Sequence, residues 1–456
     1  MNPRHHLLYL IILTTAIFPS CQKGGFLDTK PDQTLAIPTS IADCQALMDN
    51  DVVMNGYGRF GYPNLGFTGC DDYYVSTPLF NQYSATDQHA VIWAKDIYAV
   101  DEVNDWDLPY RTILYANVAI QGLDALHPSS VDQTAWNNAY GSALFFRAFA
   151  YFQLAQIFAP VYDSTSAQTD DGLPLRKTAN VDEKFTRASV QKTYDQIIND
   201  LVTAAPLLPD IPLSVTRPSK AAVYGLLSRV YLSARAYTTA LLYADSCLRI
   251  RPGLLDYNTI NPDSTPTFTR NNVEVIFGAA ATLGGPISRS FTDSTLLKSY
   301  QPNDLRKILF FKNGRAFLGR YDEDGNAFCG IATDEIYLTR AECFARTENT
   351  ADAMADLNSL LVKRWASGTF TPFTATDAAD ALDQILAERR KELLYRSLRW
   401  TDLRRLNKDP ATAVTLTRVV NGQTYTLSPN SPRYVYPIPQ KVIDFNKDQG
   451  MQQNPR

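Results

Sequence analysis

Histidine is scarce in this sequence, with four in 456 residues, and two of those, His5 and His6, fall within the first twenty. A histidine-rich metal centre or a Ser-His-Asp triad would therefore have to rest on His89 or His127. The motifs GxSxG, HExxH and the phosphate-binding P-loop are absent, and no GxGxxG stands between a strand and a helix. The six cysteines include no CxxC pair, the usual zinc-ligand spacing. Cys44, Cys70, Cys247, Cys329 and Cys343 are odd in number and widely spaced; they form no disulfide framework and read as small apolar residues of the core, with one oxidised pair left open. Excess basic charge is lacking too: the formal net charge is −4, which argues against phosphate binding by bulk electrostatics. A pair of carboxylates acting as a glycosidase is not excluded by spacing, because their separation is a property of the fold.

No apolar run is long enough to span a bilayer. The longest, Leu7 to Phe18, follows Arg4, His5 and His6, and as a helix it would measure about 18 Å against about 30 Å of hydrocarbon. It suits a secretion signal over residues 1–20. Ser20 then stands beside Cys21 where the polar segment QKGGFLDTKPDQ begins. A cysteine at that junction resembles a bacterial lipobox, although Phe18 and Pro19 occupy positions where Leu and a small residue are usual. Cys21 is thus expected to be an acylated, palmitate-bearing tether rather than a catalytic thiol. The alternative is an ordinary signal peptide followed by an ordinary cysteine.

What the chain does have is helical periodicity. The apolar spacing predicts helices over Asp107–Leu126, Thr134–Phe158, Val190–Leu207, Pro218–Ala234, Tyr237–Ile250, Thr333–Arg346, Thr350–Trp365 and Ala378–Leu406. RAFAY (147–151), LSRVY (227–231) and RAECF (340–344) each place a small residue three before an aromatic one, as helix-hairpin repeats of the tetratricopeptide kind do. Tyr151, Tyr231 and Phe344 are unevenly spaced, so long insertions must interrupt the repeats. The fold class expected is mainly α: about four irregular helix hairpins, a large loop-rich face and a few short strands. The helical scaffold would lie mainly in 104–250 and 333–406, with loop-rich insertions over about 50–101, 252–332 and 407–440. NVEVIFGAA (272–280) reads as a strand. Asp324-Gly325 marks a tight turn whose acids could gather calcium, though without EF-hand spacing.

These pieces together resemble the SusD-like (SusD/RagB) outer-membrane nutrient-binding lipoproteins. The resemblance is carried by FLDTKPDQ (26–33), GCDDYYV (69–75), WDLPYRTILYANVAI (106–120), ALFFRAFAYFQLAQIFAPV (143–161), NDLRKILFF (303–311), DEIYLTRAECFAR (334–346), ILAERRKELLYRSLRWTDLRRL (385–406) and YPIPQKVIDFNKDQGMQQNP (436–455). It spans nearly the whole mature chain. It implies a lipid-anchored protein at the outer membrane, facing the cell exterior. Such a protein captures oligosaccharide or peptide without turnover or cofactor and docks on a SusC-like TonB-dependent β-barrel transporter. QKGG after Cys21 departs from this picture, since it lacks the acidic cluster associated with export to the surface.

A neutral ligand suits the composition. The chain holds 25 Tyr, 22 Phe and 5 Trp, many of them in loops, and flat ring faces match the C–H faces of sugars while Asp, Asn and Arg bond hydroxyls. Within residues 66–98, Tyr73, Tyr74, Tyr83, Trp93 and Tyr98 are candidate platforms and Asp71, Asp72 and Asn81 candidate polar partners. Tyr300 and Tyr321, flanking Asp304 and Arg306, are weaker candidates. For each of these residues loop packing is the competing explanation. Trp106, Trp136, Trp365 and Trp400 are expected in the core, and ERRKELLYRSLRW (388–400) as a structural ion-pair network. The competing function is an interaction scaffold that binds a protein partner and no small ligand.

Overall fold

The computed structural model describes residues 38–58, 61–99, 103–282, 285–312 and 316–456; the expected signal segment and Cys21 lie outside them. The body is built on α1 (Ile41–Met48), α2 (Asn104–Asp124), α3 (Gln133–Phe158), α4 (Val190–Ala204), α5 (Lys220–Ser233), α6 (Tyr237–Ile250), α7 (Thr333–Arg346), α8 (Thr350–Leu361), α9 (Ala378–Glu392) and α10 (Arg399–Leu406). Helix α2 packs on α3, α3 on α4, α5 on α6, α6 on α7, and α7 on both α8 and α9. The chain is therefore mainly α-helical, with irregular hairpin repeats of the tetratricopeptide kind. Among the described residues no helix is long and apolar enough to cross a membrane.

Helix α3 is the axis of this scaffold, because from Gly141 to Phe158 every residue is buried. A helix apolar on all sides has no solvent face and must be surrounded. Phe145, Phe146 and Phe149 close around Phe277, with ring centroids 4.8, 5.7 and 5.4 Å away. That contact joins the scaffold to the second insertion through strand β2 (Val275–Phe277). The last carbonyls of α3 have no partner within the helix. Arg404 of α10 donates to the carbonyls of Ala155, Gln156 and Ala159, and Asn454 donates to that of Phe158 at 2.9 Å.

Between neighbouring helices the bonds are Arg–carboxylate pairs. Arg147 binds Asp200 through two N–H groups at 2.8 and 2.7 Å, Arg229 binds Glu335 at 2.7 and 2.6 Å, and Arg340 binds Asp356 at 2.8 Å twice. Such bidentate geometry orients as well as attracts.

Seven of the eight expected helices are observed, with ends shifted by at most four residues, and α1 lies outside the expected set. The stretch expected as one helix over Ala378–Leu406 is two, because Tyr395 and Ser397 take φ values of 54° and 64°. The break turns Tyr395 onto Phe317, 5.0 Å between centroids, and sends Arg396 over the Tyr321 ring at 3.9 Å. A continuous helix would carry both away from these partners. The expected strand over 272–280 is shorter and bulged: β2 pairs with β8 (Ile331–Ala332), and β3 (Ala280–Ala281) with β7 (Ala327–Phe328). Trp106 and Trp400 are buried, whereas Trp136 and Trp365 are only partly covered. The five described cysteines are all buried free thiols.

Candidate functional site

The loop-rich face is organised by a hairpin, β9 (Leu416–Val420) and β10 (Gln423–Leu427). Its turn residues Asn421 and Gly422 have φ values of 52° and 72°, the two-residue turn that Asn-Gly favours. Leu416, Arg418 and Val420 face inward and Thr417 and Val419 outward, the alternation of a half-buried strand. Arg418 enters between the rings of Tyr73 and Trp93, 4.7 and 4.8 Å from their centroids. It donates to the carbonyls of Thr68, Cys70 and Val91, at the ends of the short helices Leu65–Gly69 and Ala85–Val91. One guanidinium thus gathers the loop 66–98 under the hairpin. The hairpin tip is fastened by Asn421, whose N–H donates to Thr77 at 2.8 Å and whose side chain donates to Asn81 at 3.1 Å.

Beside the hairpin lies a cleft of about 480 Å³ whose lining includes Asp71, Tyr74, Asp293, Thr295 and Arg390. Tyr74 is the most open of its aromatic rings, 49% exposed. Strands β1 (Tyr73–Tyr74) and β4 (Phe291–Thr292) pair Tyr74 opposite Phe291, and the two rings stack at 5.2 Å with 21° between their planes. Among the described residues, Tyr74 and Phe445 are the aromatic side chains more than a third exposed. Of these two, Tyr74 lines this cleft.

The polar rim is fixed by the protein's own ion pairs. Arg399 grips Asp71 through two bonds of 2.7 and 2.9 Å, and Arg390 adds a contact at 3.1 Å together with a bond to the Asp71 carbonyl at 2.9 Å. Burial alone would raise the Asp71 carboxyl, but Arg399 and Arg390 outweigh it and hold the group at about 2. Asp72 shows the opposite balance: burial first, then the neighbouring Asp71 charge, push it up to about 6. Asp293 accepts the N–H of Leu296 at 2.9 Å and starts the next helix. The lining contains no histidine, cysteine or lysine, and its two carboxylates are already engaged. Chemically, an open ring face with fixed polar groups beside it can accept a flat ring and bond hydroxyls.

The structure brings four of the candidate residues together in this cleft: Asp71, Tyr73, Tyr74 and Trp93. Tyr73 and Trp93 are wall rather than platform, since both are buried and bonded to the carbonyls of Thr68 and Gly69 at 2.7 and 2.9 Å. Asp72 lies buried behind the rim, and Asn81 is exposed under the hairpin tip. Tyr83 is buried, with its hydroxyl on the Pro286 carbonyl at 3.0 Å. Tyr98 lines a separate depression and bonds the Pro437 carbonyl at 2.8 Å. Tyr300 and Tyr321 are closed to solvent: their hydroxyls go to the Lys391 carbonyl and to Glu274. Neither ring is open to a ligand in this conformation.

Those two tyrosines belong instead to a buried charge network, as the reading of 388–400 as structural ion pairs anticipates. Arg306 binds Asp304 at 2.7 Å, Glu388 at 2.6 Å and Glu392 at 2.9 Å. Arg364 binds Glu392 and Glu274, both at 2.7 Å, and Arg396 lies 2.9 Å from Asp334. The acidic turn at 322–324 is likewise filled by the protein's own cation, for Arg270 contacts Asp322 and Asp324 at 2.9 and 2.7 Å. Among the described residues no group of three or more metal-ligating side chains is placed to hold an ion.

Several cleft residues were not among the candidates. Asp293, Thr295 and the outward hairpin residues Thr417 and Val419 carry no isolated signal, nor does Phe291 behind Tyr74. The hairpin does: Asn421-Gly422 between alternating residues is a strong short-range mark.

Two family profiles match the chain. One, described as "Starch-binding associating with outer membrane", covers residues 25–232; the other, described as "SusD family", covers 333–456. A curated relative named SusD-like protein P2, from Formosa agariphila, is 24% identical over 368 residues, which cover 66% of this chain and 71% of the relative. A solved SusD superfamily protein from Bacteroides thetaiotaomicron superposes with a TM-score of 0.71 at 22% identity, covering 91% of this chain and all of that one. A structure titled "Laminarin binding SusD-like protein" superposes at 0.63 and 18% identity, covering 91% and 98%. At these identities the two structures speak for the fold. Taken with the profiles at both ends of the chain, they lead to one conclusion: this chain belongs to the SusD/RagB family of carbohydrate-binding proteins associated with the outer membrane.

Proposed function

We propose that this chain captures neutral oligosaccharide, or another nutrient of similar size, in the cleft beside the β9–β10 hairpin, and does so without turnover. The observation that carries the reading is Tyr74, a half-exposed ring backed by Phe291 and set beside Asp71 and Arg390. A sugar ring laid on Tyr74 would bury its C–H face, and the rim charges would meet its hydroxyls. Because Asp71 and Arg390 already neutralise each other, the rim offers hydrogen bonds without a net charge to favour an ion. The starch-binding description of the family and the laminarin-binding neighbour support a glycan as the ligand class.

In this reading Cys21 carries the lipid and the body sits at the outer membrane, facing the exterior. There it passes its ligand to a SusC-like TonB-dependent transporter. Titration calorimetry of the mature protein against a panel of oligosaccharides and peptides tests the capture step. Heat of binding to at least one glycan, reduced about tenfold in affinity by Tyr74→Ala, is expected. Binding that ignores Tyr74→Ala would remove the cleft from the account. Mass spectrometry of Cys21 tests the anchor, and co-purification with a TonB-dependent β-barrel from the source cells' outer membrane tests the partner.

A further inference from the structure

A second cavity shares no lining residue with the cleft beside the hairpin. It measures about 180 Å³ and forms where four stretches meet: the chain just after α3, the end of α10, the segment 430–435 and residues 454–455. Pro160, Pro432 and Pro455, with Val161 and Val435, give it an apolar wall. A cavity of about 150 Å³ takes a molecule the size of benzene, so this one has room for a small organic ligand.

Two polar groups of the lining have nothing to bond. Asn407 and Tyr434 are 3% and 4% exposed, and the Asn407 Nδ2 and the Tyr434 hydroxyl are buried without a hydrogen-bond partner. The Asn407 amide cannot turn over to relieve this. Its Oδ1 accepts the Val414 N–H at 2.9 Å, and a flip would set two donors against each other. Its backbone carbonyl is taken as well, by Asn430 at 2.7 Å. The two side chains are neighbours: burial raises the Tyr434 phenol to about 12, and the Asn407 amide opposes the rise. A buried donor left unmatched costs about 1–3 kcal/mol, and here two stand together in one cavity.

A cation stands beside them. Arg405 has Glu342 and Asp402 as partners, whereas its neighbour Arg404, also in the lining, donates only to the carbonyls of Ala155, Gln156 and Ala159. Burial pulls the Arg404 guanidinium down to about 10, opposed by the Tyr194 phenol. The other charges of the lining are occupied within the protein: Lys408 lies 3.4 Å from Asp163, and Asp170 accepts from Ser166 at 2.6 Å. Arg404 would repel a cationic ligand. A hydroxyl brings a donor along with its acceptor, but a carboxylate brings acceptors alone, and the apolar wall favours an acid with a hydrocarbon body over a fully hydrated oxyanion.

We infer that this cavity is a second ligand site, which takes a small monocarboxylate whose oxygens accept from Asn407 and Tyr434 beside Arg404. The site is independent of the cleft at Tyr74 and differs from it in kind. One offers an open ring to a neutral ligand, the other buried donors and a cation to an acid.

Saturation-transfer NMR of the mature protein with benzoate and butyrate tests this, with benzamide and butyramide as neutral controls. Both acids should bind saturably and the amides about tenfold more weakly. Glucuronate, an acid without the apolar body, should not displace benzoate, and Tyr74→Ala should leave benzoate affinity unchanged. Tyr434→Phe should weaken benzoate about tenfold, while its own unfolding midpoint holds or rises because the hydroxyl had no partner to lose. Asn407→Asp keeps the bond to Val414 and sets the protein's own carboxylate in the ligand's place, so it should abolish binding. Benzoate should raise the unfolding midpoint of the parent and leave that of Asn407→Asp unmoved. The inference would be overturned by absence of saturable binding, by amides that bind as well as acids, by displacement with glucuronate or by loss with Tyr74→Ala. Variants that bind like the parent, or a Tyr434→Phe protein that is itself destabilised, would overturn it too.

Discussion

Two of the arginine–carboxylate clusters among the described residues differ in setting more than in composition. The first, Arg306 and Arg364 with Asp304, Glu274 and Glu392, is closed to solvent on every side. Its donors and acceptors are matched within the protein, and it ties the insertion 252–332 to α9. The second, Arg390 and Arg399 with Asp71, stands at the rim of a cleft, where the side chains of Arg390 and Asp71 remain 26% and 21% exposed. The difference lies in what happens when a partner is removed. In the closed cluster a lost carboxylate strands a buried charge, whereas at the rim water or a ligand hydroxyl can take its place. The same residue types therefore make a bolt in one region and a partly open rim in the other.

The sharpest way to break the comparison is Glu392→Gln, which leaves Arg306 and Arg364 each short of a charge partner. A loss of about 3–5 kcal/mol in urea unfolding is expected, while Asp71→Asn should cost about 1 kcal/mol or less. Equal losses would erase the distinction. Next in size is the pH response of Asp72. Its folded value near 6 stands above the ordinary aspartate value, so the folded state binds an extra proton between the two. That contribution is complete below about pH 4 and fades as pH rises through about 6. Asp72→Asn should flatten the stability curve across this window, and an unaltered slope would show that Asp72 titrates normally.

Tyr74→Ala acts on the rim alone: affinity for oligosaccharide should fall by about 1–2 kcal/mol with the melting temperature unmoved. A drop in both would make Tyr74 another structural ring like Tyr73. The smallest effect is expected for Gly422→Ala. Nothing lies within 4 Å of a Cβ there, so only the positive φ opposes it, at about 1 kcal/mol. Ligand affinity should weaken by less than with Tyr74→Ala, and a larger loss would place the hairpin tip in contact with ligand.

Residues that obey a local period were legible in advance. Helices α6 and α7 begin and end where the apolar spacing does, because each buries a single stripe against a neighbour in a hairpin. The break at 393–398 was not legible, since ERRKELLYRSLRW keeps good helix formers throughout and only the buried partners of Tyr395 and Arg396 reverse the local preference. The candidate site was half visible. Tyrosine-rich loops mark a region, but Tyr73 and Tyr74 are adjacent and alike, and only the pairing of β1 with β4 turns one inward onto a carbonyl and the other outward over Phe291.

Periodicity and composition, with the family resemblance that the motifs carry, were enough to mark a helical-repeat member of the SusD/RagB family. They suffice because core stripes, turn residues and export-like segments are written in short stretches of chain. Which rings are open and which arginines are bolts depends on contacts between segments hundreds of residues apart, such as Arg399 with Asp71 and Arg418 with Cys70. Burial sets the worth of each of those contacts, and burial exists only once the chain has folded.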